Sequence, residues 1–119
     1  MTRTEIHDGK NGHHTSIEAN TEASGEITLR VQTNCPLLAP LVKDRTLTLD
    51  PMQELFHWED SVLTGVAQQL PHRAFAFLFA ALKAVQVEAG LSEPGQYTID
   101  IRKQIEPQDQ AGARPGSAA

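Results

Sequence analysis

Few side chains in this sequence could attack a substrate or hold a metal ion. The chain has one cysteine, Cys35, and five histidines. We expect Cys35 at the start of a helix, where free backbone amides favour the thiolate, the form that attacks substrates and binds metals. The alternative is a small buried residue at a strand–helix junction, because unpaired cysteines are among the most buried residues in proteins.

Three of the histidines are the natural partners of this thiol. Cys35, His72 and either His13 or His14 could converge on zinc or another transition metal. Only one of His13 and His14 could take part, because neighbouring residues of a strand point to opposite faces of the sheet. These spacings match no compact metal motif, so solvated histidines are the competing interpretation. The other two histidines are predicted to lie on the surface without a role.

A nucleophile–base pair of Cys35 and His72 would instead make the protein an enzyme. No sequence signature surrounds this pair. The adjacent carboxylates of Glu59 and Asp60 suit the start of a helix better than an acid–base pair. The sequence has no glycine-rich phosphate loop of the GxxxxGK or GxGxxG kind. We therefore assign no catalytic residues and favour a protein without catalysis.

Composition limits the partners of the chain. Its 119 residues carry a formal net charge of -5, which argues against a nucleic-acid or anionic membrane partner, since both require a basic face. The single cysteine rules out an internal disulfide. The polar first residues indicate no secretion signal, and the longest apolar run, 74–82, is too short to span a bilayer. We expect a cytoplasmic protein whose partner is a protein or a small ligand of unknown identity.

Alternating apolar and polar residues indicate where strands lie. The clearest alternation covers 26–33, and a shorter one covers 15–19, so the two should form a hairpin. A last strand is predicted at 97–102. Residues 46–49 alternate weakly and are expected to be extended.

Cap residues indicate where helices begin. Asn34 is a suitable N-cap for a first helix, although Pro40 should shorten or kink that helix. Asp50, followed by proline, should start a second helix. The acidic residues that end at Ser61 should start a third.

The longest helix is expected over 73–89 and should end at Gly90, which can adopt the left-handed conformation that terminates a helix. The resulting fold is α+β, with elements in the order β-β-α-α-α-α-β. It is a three-stranded antiparallel sheet covered on one face by helices. We expect a flexible N-terminus over 1–10, a single α+β domain over 11–104 and a disordered tail over 105–119.

The sequence around Asn34-Cys35-Pro36 resembles an uncharacterised family of small bacterial and archaeal proteins. That family has Cys-Gly-Phe, Asp-Cys-Pro and His-x-x-Cys-Pro motifs. Residues 83–91 are similar to the family's last helix and 96–102 to its closing strand. Asn11 and Phe75 stand where two of the family's cysteines would be.

The resemblance implies that any metal or cluster held by the family's thiols has lost two ligands here. Cys35 and His72 remain. Soft thiolate sites rarely stay competent after such a loss, so we expect no cofactor, with zinc or another transition metal as the alternative. The resulting interpretation is a small cytosolic, non-catalytic binding or accessory protein. The alternative is a metal-binding or thiol-dependent protein that uses Cys35, His72 and His13 or His14.

Overall fold

The computed structural model describes residues 1–71 and 76–104, so predictions for His72 and for the tail lie outside the described residues. Within these ranges the chain forms four strands, four α-helices and one short 3-10 helix. The strands are β1 (Thr2–Asp8), β2 (His13–Thr21), β3 (Ile27–Thr33) and β4 (Thr46–Leu49). The α-helices are α1 (Ala39–Val42), α2 (Pro51–Phe56), α3 (Val62–Gln68) and α4 (Phe77–Glu88), and Trp58–Asp60 is the 3-10 helix.

The four strands form one antiparallel sheet in chain order, β1-β2-β3-β4. The α+β class is confirmed, but the predicted three-stranded sheet is wrong. The hairpin of β2 and β3 forms as expected, and the weakly alternating residues 46–49 form the edge strand β4. The sequence pattern missed β1 altogether, and the strand predicted at 97–102 is absent from the sheet.

The sequence pattern missed β1 because its inward positions are mostly polar, as its outward positions are. Arg3, Glu5 and His7 are exposed, while the alternate positions are half-buried. Of these inward positions, only Ile6 carries a large apolar side chain. A hydrophobic pattern therefore gives almost no signal, and β1 forms because β2 offers it a complete ladder of seven residue pairs.

The predicted last strand has a clear strand pattern but does not form a strand. Tyr97, Ile99 and Ile101 alternate with polar residues, yet this segment forms no ladder with the described strands. The Tyr97 ring packs edge-on against Phe79 of α4, with ring centroids 6.0 Å apart. Alternation measures amphipathicity, but a strand also needs an edge to pair with, and in this chain the segment lies beside a helix.

The core lies between one face of the sheet and the helices. Small residues on α4, among them Ala81 and Ala84, let this helix approach β1 and β2 closely. The large side chains that are almost fully buried are Ile17, Ile27, Leu29, Leu38, Leu49, Leu63, Val42 and Val85. The opposite face of the sheet carries polar side chains.

Two helix starts and one helix end are confirmed. The Asp50 carboxylate accepts hydrogen bonds from the second and third backbone amides after it, and the Ser61 hydroxyl caps α3 in the same way. Gly90 ends α4 with φ of 78°, and the Leu91 amide donates to the Gln86 carbonyl at 2.9 Å.

The first helix begins later than predicted. Asn34 does not cap it, and α1 starts at Ala39 and has four residues. This later start places Pro40 in the first turn, where its missing N–H costs no hydrogen bond. The helix is short, as was expected from this proline. Among the described helices, none is long and apolar enough to cross a membrane.

Candidate metal-binding site

A cluster of three potential metal ligands lies on the open face of the sheet. Glu5 and His7 are two residues apart on β1, so their side chains share a face. His14 of β2 lies directly opposite His7 in the register. One ligand atom from each of the three residues lies within 4.8 Å of the other two, and all three residues are exposed.

The two imidazole rings are stacked. Their centroids are 4.6 Å apart and their planes differ by 12°. His14 Nε2 lies 2.5 Å from Glu5 Oε1, so this carboxylate is already hydrogen-bonded to one of the two rings. The cluster is therefore a connected set of two imidazoles and one carboxylate.

The turn between β1 and β2 sets the register that brings the histidines together. The Asp8 carboxylate accepts hydrogen bonds from the amides of Lys10 and Asn11, and Gly12 has φ of 70°. Hydrogen bonds from the Asn11 side chain and backbone hold the pKa of Asp8 below its ordinary value. Because a one-residue slip would move His14 to the other face, this turn positions the cluster.

Asn34, the residue after β3, holds the backbone of His14 in place. The His14 amide donates to Asn34 Oδ1 at 2.7 Å, and the Asn34 amide donates to the His14 carbonyl at 3.2 Å. The ladder between β2 and β3 thus extends by one pair beyond β3. The asparagine predicted to cap a helix instead holds the backbone of a candidate ligand.

Arg3 favours the ionised form of the Glu5 carboxylate in the cluster. Its guanidinium donates to Glu5 Oε2 at 2.6 Å and to Glu18 at 3.2 Å. The hydrogen bond from Arg3, followed by that from His14, lowers the pKa of Glu5 below its usual range. The carboxylate therefore stays ionised when the solution becomes mildly acidic, which suits a ligand for a cation.

Of the histidines predicted as ligands, His14 alone lies in this cluster. His13 is its neighbour on β2 and pairs with Asp8, so its side chain points to the other face of the sheet. His72 lies outside the described residues, and the prediction of a site that includes it stays a prediction.

Cys35 is a core residue with 6% of its surface exposed. Its amide donates to the Thr33 hydroxyl at 3.1 Å, and α1 has Leu38 as its N-cap and begins at Ala39, so the thiol does not sit at the start of this helix. In residues 1–71 and 76–104, no group of three potential ligands includes Cys35. The helix that was expected to favour its thiolate begins four residues later.

Glu5 and His7 are the members of the cluster that sequence reasoning missed. His7 was predicted to be a surface residue without a role, because nothing in the sequence distinguishes it from a solvated histidine. The signal was present in the alternation of Arg3, Glu5 and His7 with threonine and isoleucine. An interpretation of 2–8 as a strand would have placed these three residues on one face.

A second feature of the open face is a cleft of about 740 Å³ beside β3 and the segment that follows α1. Its polar lining includes three basic residues, Arg30, Lys43 and Arg45, and the carboxylates of Glu18 and Asp44. Because charges of both signs line it, the cleft favours no single ligand chemistry. The histidine cluster is the more specific site.

Comparison with known proteins gives a family but no activity. A model of a family of unknown function, DUF6951, matches residues 2–101. No curated protein and no solved structure matches the chain. The matched range includes both strands that carry the cluster.

Proposed function

This chain belongs to DUF6951, a family of unknown function, and from that premise we propose that it is a non-catalytic protein that binds a divalent transition-metal ion through Glu5, His7 and His14. The observation that carries the proposal is the convergence of two imidazoles and one ionised carboxylate on adjacent strands. The proposal replaces the thiol at the centre of the sequence-based hypothesis with a carboxylate and keeps one of its histidines.

The donor set decides which ions fit. Imidazole nitrogen suits zinc, copper and nickel, and two histidines with one carboxylate form a known zinc ligand set. Magnesium and calcium prefer oxygen ligands, so a site with two nitrogens disfavours them. Three ligands leave at least one coordination position for water or for a donor atom from a partner.

Binding requires a small rearrangement of side chains. Ligand atoms that surround one zinc ion at about 2.1 Å lie roughly 3.4 Å apart, whereas the present cluster spans up to 4.8 Å. Stacked rings must also turn so that their nitrogens point to one place. The side chains of Glu5 and His14 are 36% and 47% exposed, so they can rotate without disturbing the core.

Calorimetric titration of the metal-free protein with zinc, nickel or copper tests the proposal. We expect one ion per chain, and we expect His7→Ala and His14→Ala each to weaken binding at least about tenfold. His13→Ala is the matched control, because this histidine lies on the same strand and points to the other face. It should leave the affinity unchanged.

Two results would overturn the proposal. One is the absence of binding for all three ions. The other is an affinity that depends on Cys35 and His13 but not on His7, which would return the site to the ligands predicted from sequence. We also propose a cytoplasmic location, which the cysteine content supports because a chain with one cysteine has no internal disulfide framework of the kind found in many small secreted domains.

A further inference from the structure

We propose that residues 96–102, here called the closing segment, form a fifth strand in a dimer by pairing with the free edge of β1 in a second copy of the chain. The dimer would be reciprocal, with each copy giving its closing segment and receiving that of its partner. This inference concerns assembly and does not depend on the metal site.

The closing segment has the pattern of a strand, but it pairs with no other strand among residues 1–71 and 76–104 of its own chain. Its apolar residues Tyr97, Ile99 and Ile101 are 55%, 74% and 88% exposed. Every residue of the segment is exposed, and large apolar side chains at alternate positions of an exposed segment are typical of an unpaired interaction surface. The family match extends to residue 101, so the segment belongs to the family's domain rather than to the tail that follows.

Strand β1 offers a matching edge. In the part of the chain that the structure describes, β1 is the outermost strand on its side of the sheet. An edge strand leaves the N–H and C=O groups of every second residue without a ladder partner. These free groups can pair with another strand. Strand β1 and the closing segment each have seven residues.

The side chains select one antiparallel register. Tyr97 opposite Ile6 and Ile99 opposite Thr4 would place the apolar residues of the segment over the inward face of β1. The same register puts Asp100 opposite Arg3 on the outer face, which is a favourable pair of opposite charges. A slip by one residue would turn the isoleucines to the polar face of the sheet.

Slips by two residues are also unfavourable. In one direction Asp100 would lie opposite Glu5 and Arg102 opposite Arg3, which places like charges together. In the other direction Ile101 would lie beyond Thr2, the first residue of β1, and would lose its strand partner. Only the proposed register avoids both penalties, and it pairs six residues of the segment, 96–101, with residues 2–7 of β1.

A second copy is the occupant that fits best. Within its own chain the segment lies beside α4 and not beside β1: Tyr97 packs edge-on against Phe79, and the Lys83 ammonium lies 5.2 Å from the centre of the Tyr97 ring. A reciprocal exchange covers two β1 edges and two closing segments in one closed dimer. Closed two-fold dimers are the commonest arrangement of identical chains.

Analytical ultracentrifugation over a range of concentrations tests the dimer. We expect a monomer–dimer equilibrium in the natural protein and at least a tenfold weaker dimer for Ile99→Lys. Since Ile99 is 74% exposed, this change should not affect folding of the chain. Thr98→Lys is the matched control, because it adds the same charge on the outer face opposite Glu5 and should leave the dimer intact.

Cross-linking identifies the strand partner. In a Cys35→Ser background, a mixture of Thr4→Cys and Ile99→Cys chains should form a disulfide between copies upon oxidation. A natural protein that is monomeric at every concentration would overturn the proposal. So would a dimer that forms equally well with Ile99→Lys, or a disulfide that forms within a double-cysteine monomer and not between the mixed chains.

Discussion

The Thr2 hydroxyl donates a hydrogen bond of 2.7 Å to the Glu88 carboxylate, and this contact joins β1 to the end of α4. The other carboxylate oxygen accepts from the amide and the hydroxyl of Thr21 at 3.0 and 2.9 Å. One side chain therefore ties α4 to the start of β1 and the end of β2. Glu88 lies in the stretch 83–91 that carried the family resemblance.

Replacement of Glu88 should change how stability depends on pH. Burial raises the pKa of this carboxyl, but hydrogen bonds from Thr2 and Thr21 outweigh it and hold the pKa below 4.5, its ordinary value. A lowered pKa stabilises the fold above the ordinary pKa, and this contribution disappears as the pH falls through the folded value. Glu88→Gln should therefore be less stable by on the order of 1–2 kcal/mol at neutral pH.

Urea unfolding at a series of pH values checks this prediction. The natural protein and Glu88→Gln should differ most at neutral pH and converge in acid. The exposed Glu22→Gln is a control for the loss of one negative charge. A constant difference between the two proteins at all pH values would contradict the role assigned to the ionised carboxylate.

Replacement of Glu54 should destabilise the junction of α2 and α3. Glu54 is 3% exposed and accepts hydrogen bonds from the Ser61 hydroxyl at 2.6 Å and from the amides of Val62 and Leu63. Alanine at this position would leave these donors without their acceptor. We expect the free energy of unfolding to fall by on the order of 3 kcal/mol.

Thermal or urea unfolding of Glu54→Ala measures this loss. Glu59→Ala, an exposed carboxylate in the neighbouring 3-10 helix, is the control and should change stability little. Equal effects from both substitutions would show that the buried hydrogen bonds of Glu54 are unimportant.

Metal binding at the histidine cluster should weaken in acid. A protonated imidazole has no lone pair for a metal, so protons compete with the ion at both His7 and His14. The carboxylate of Glu5 keeps its charge further into acid because its pKa is lowered. We therefore expect the zinc affinity to fall as the histidines protonate, with a shallower dependence in His14→Ala. Isothermal titration at mildly acidic pH, where an ordinary imidazole is largely protonated, in buffers of different ionisation enthalpy counts the protons released. No proton release from the natural protein at that pH would contradict histidine ligation.

The Cys35 thiol should be unreactive in the folded protein. It belongs to the core, and burial shields it from reagents in solution. We expect slow alkylation in native buffer, fast alkylation in denaturant, and unchanged zinc affinity for Cys35→Ser. Mass spectrometry after timed treatment with iodoacetamide measures the rates. Rapid modification of native protein at neutral pH would revive the hypothesis of a reactive thiol.

Local signals gave correct predictions where neighbouring residues decide the structure. Asp50, Ser61 and Gly90 mark helix boundaries because each satisfies or ends a local backbone pattern. The hairpin of β2 and β3 was predictable because its inward residues are strongly apolar. Strand β1 was not, because its stability comes from pairing with β2 and not from its own composition.

The candidate site likewise depends on contacts between distant residues and not on local patterns. By itself, the sequence determined the α+β class, the central hairpin, the caps and the presence of one cysteine and five histidines. Only the tertiary structure decided which histidines meet. The register of β1 against β2 brings His7 and His14 together and turns His13 away, and the core encloses Cys35. Register arises from contacts between distant parts of the chain, so no local pattern of residues could reveal it.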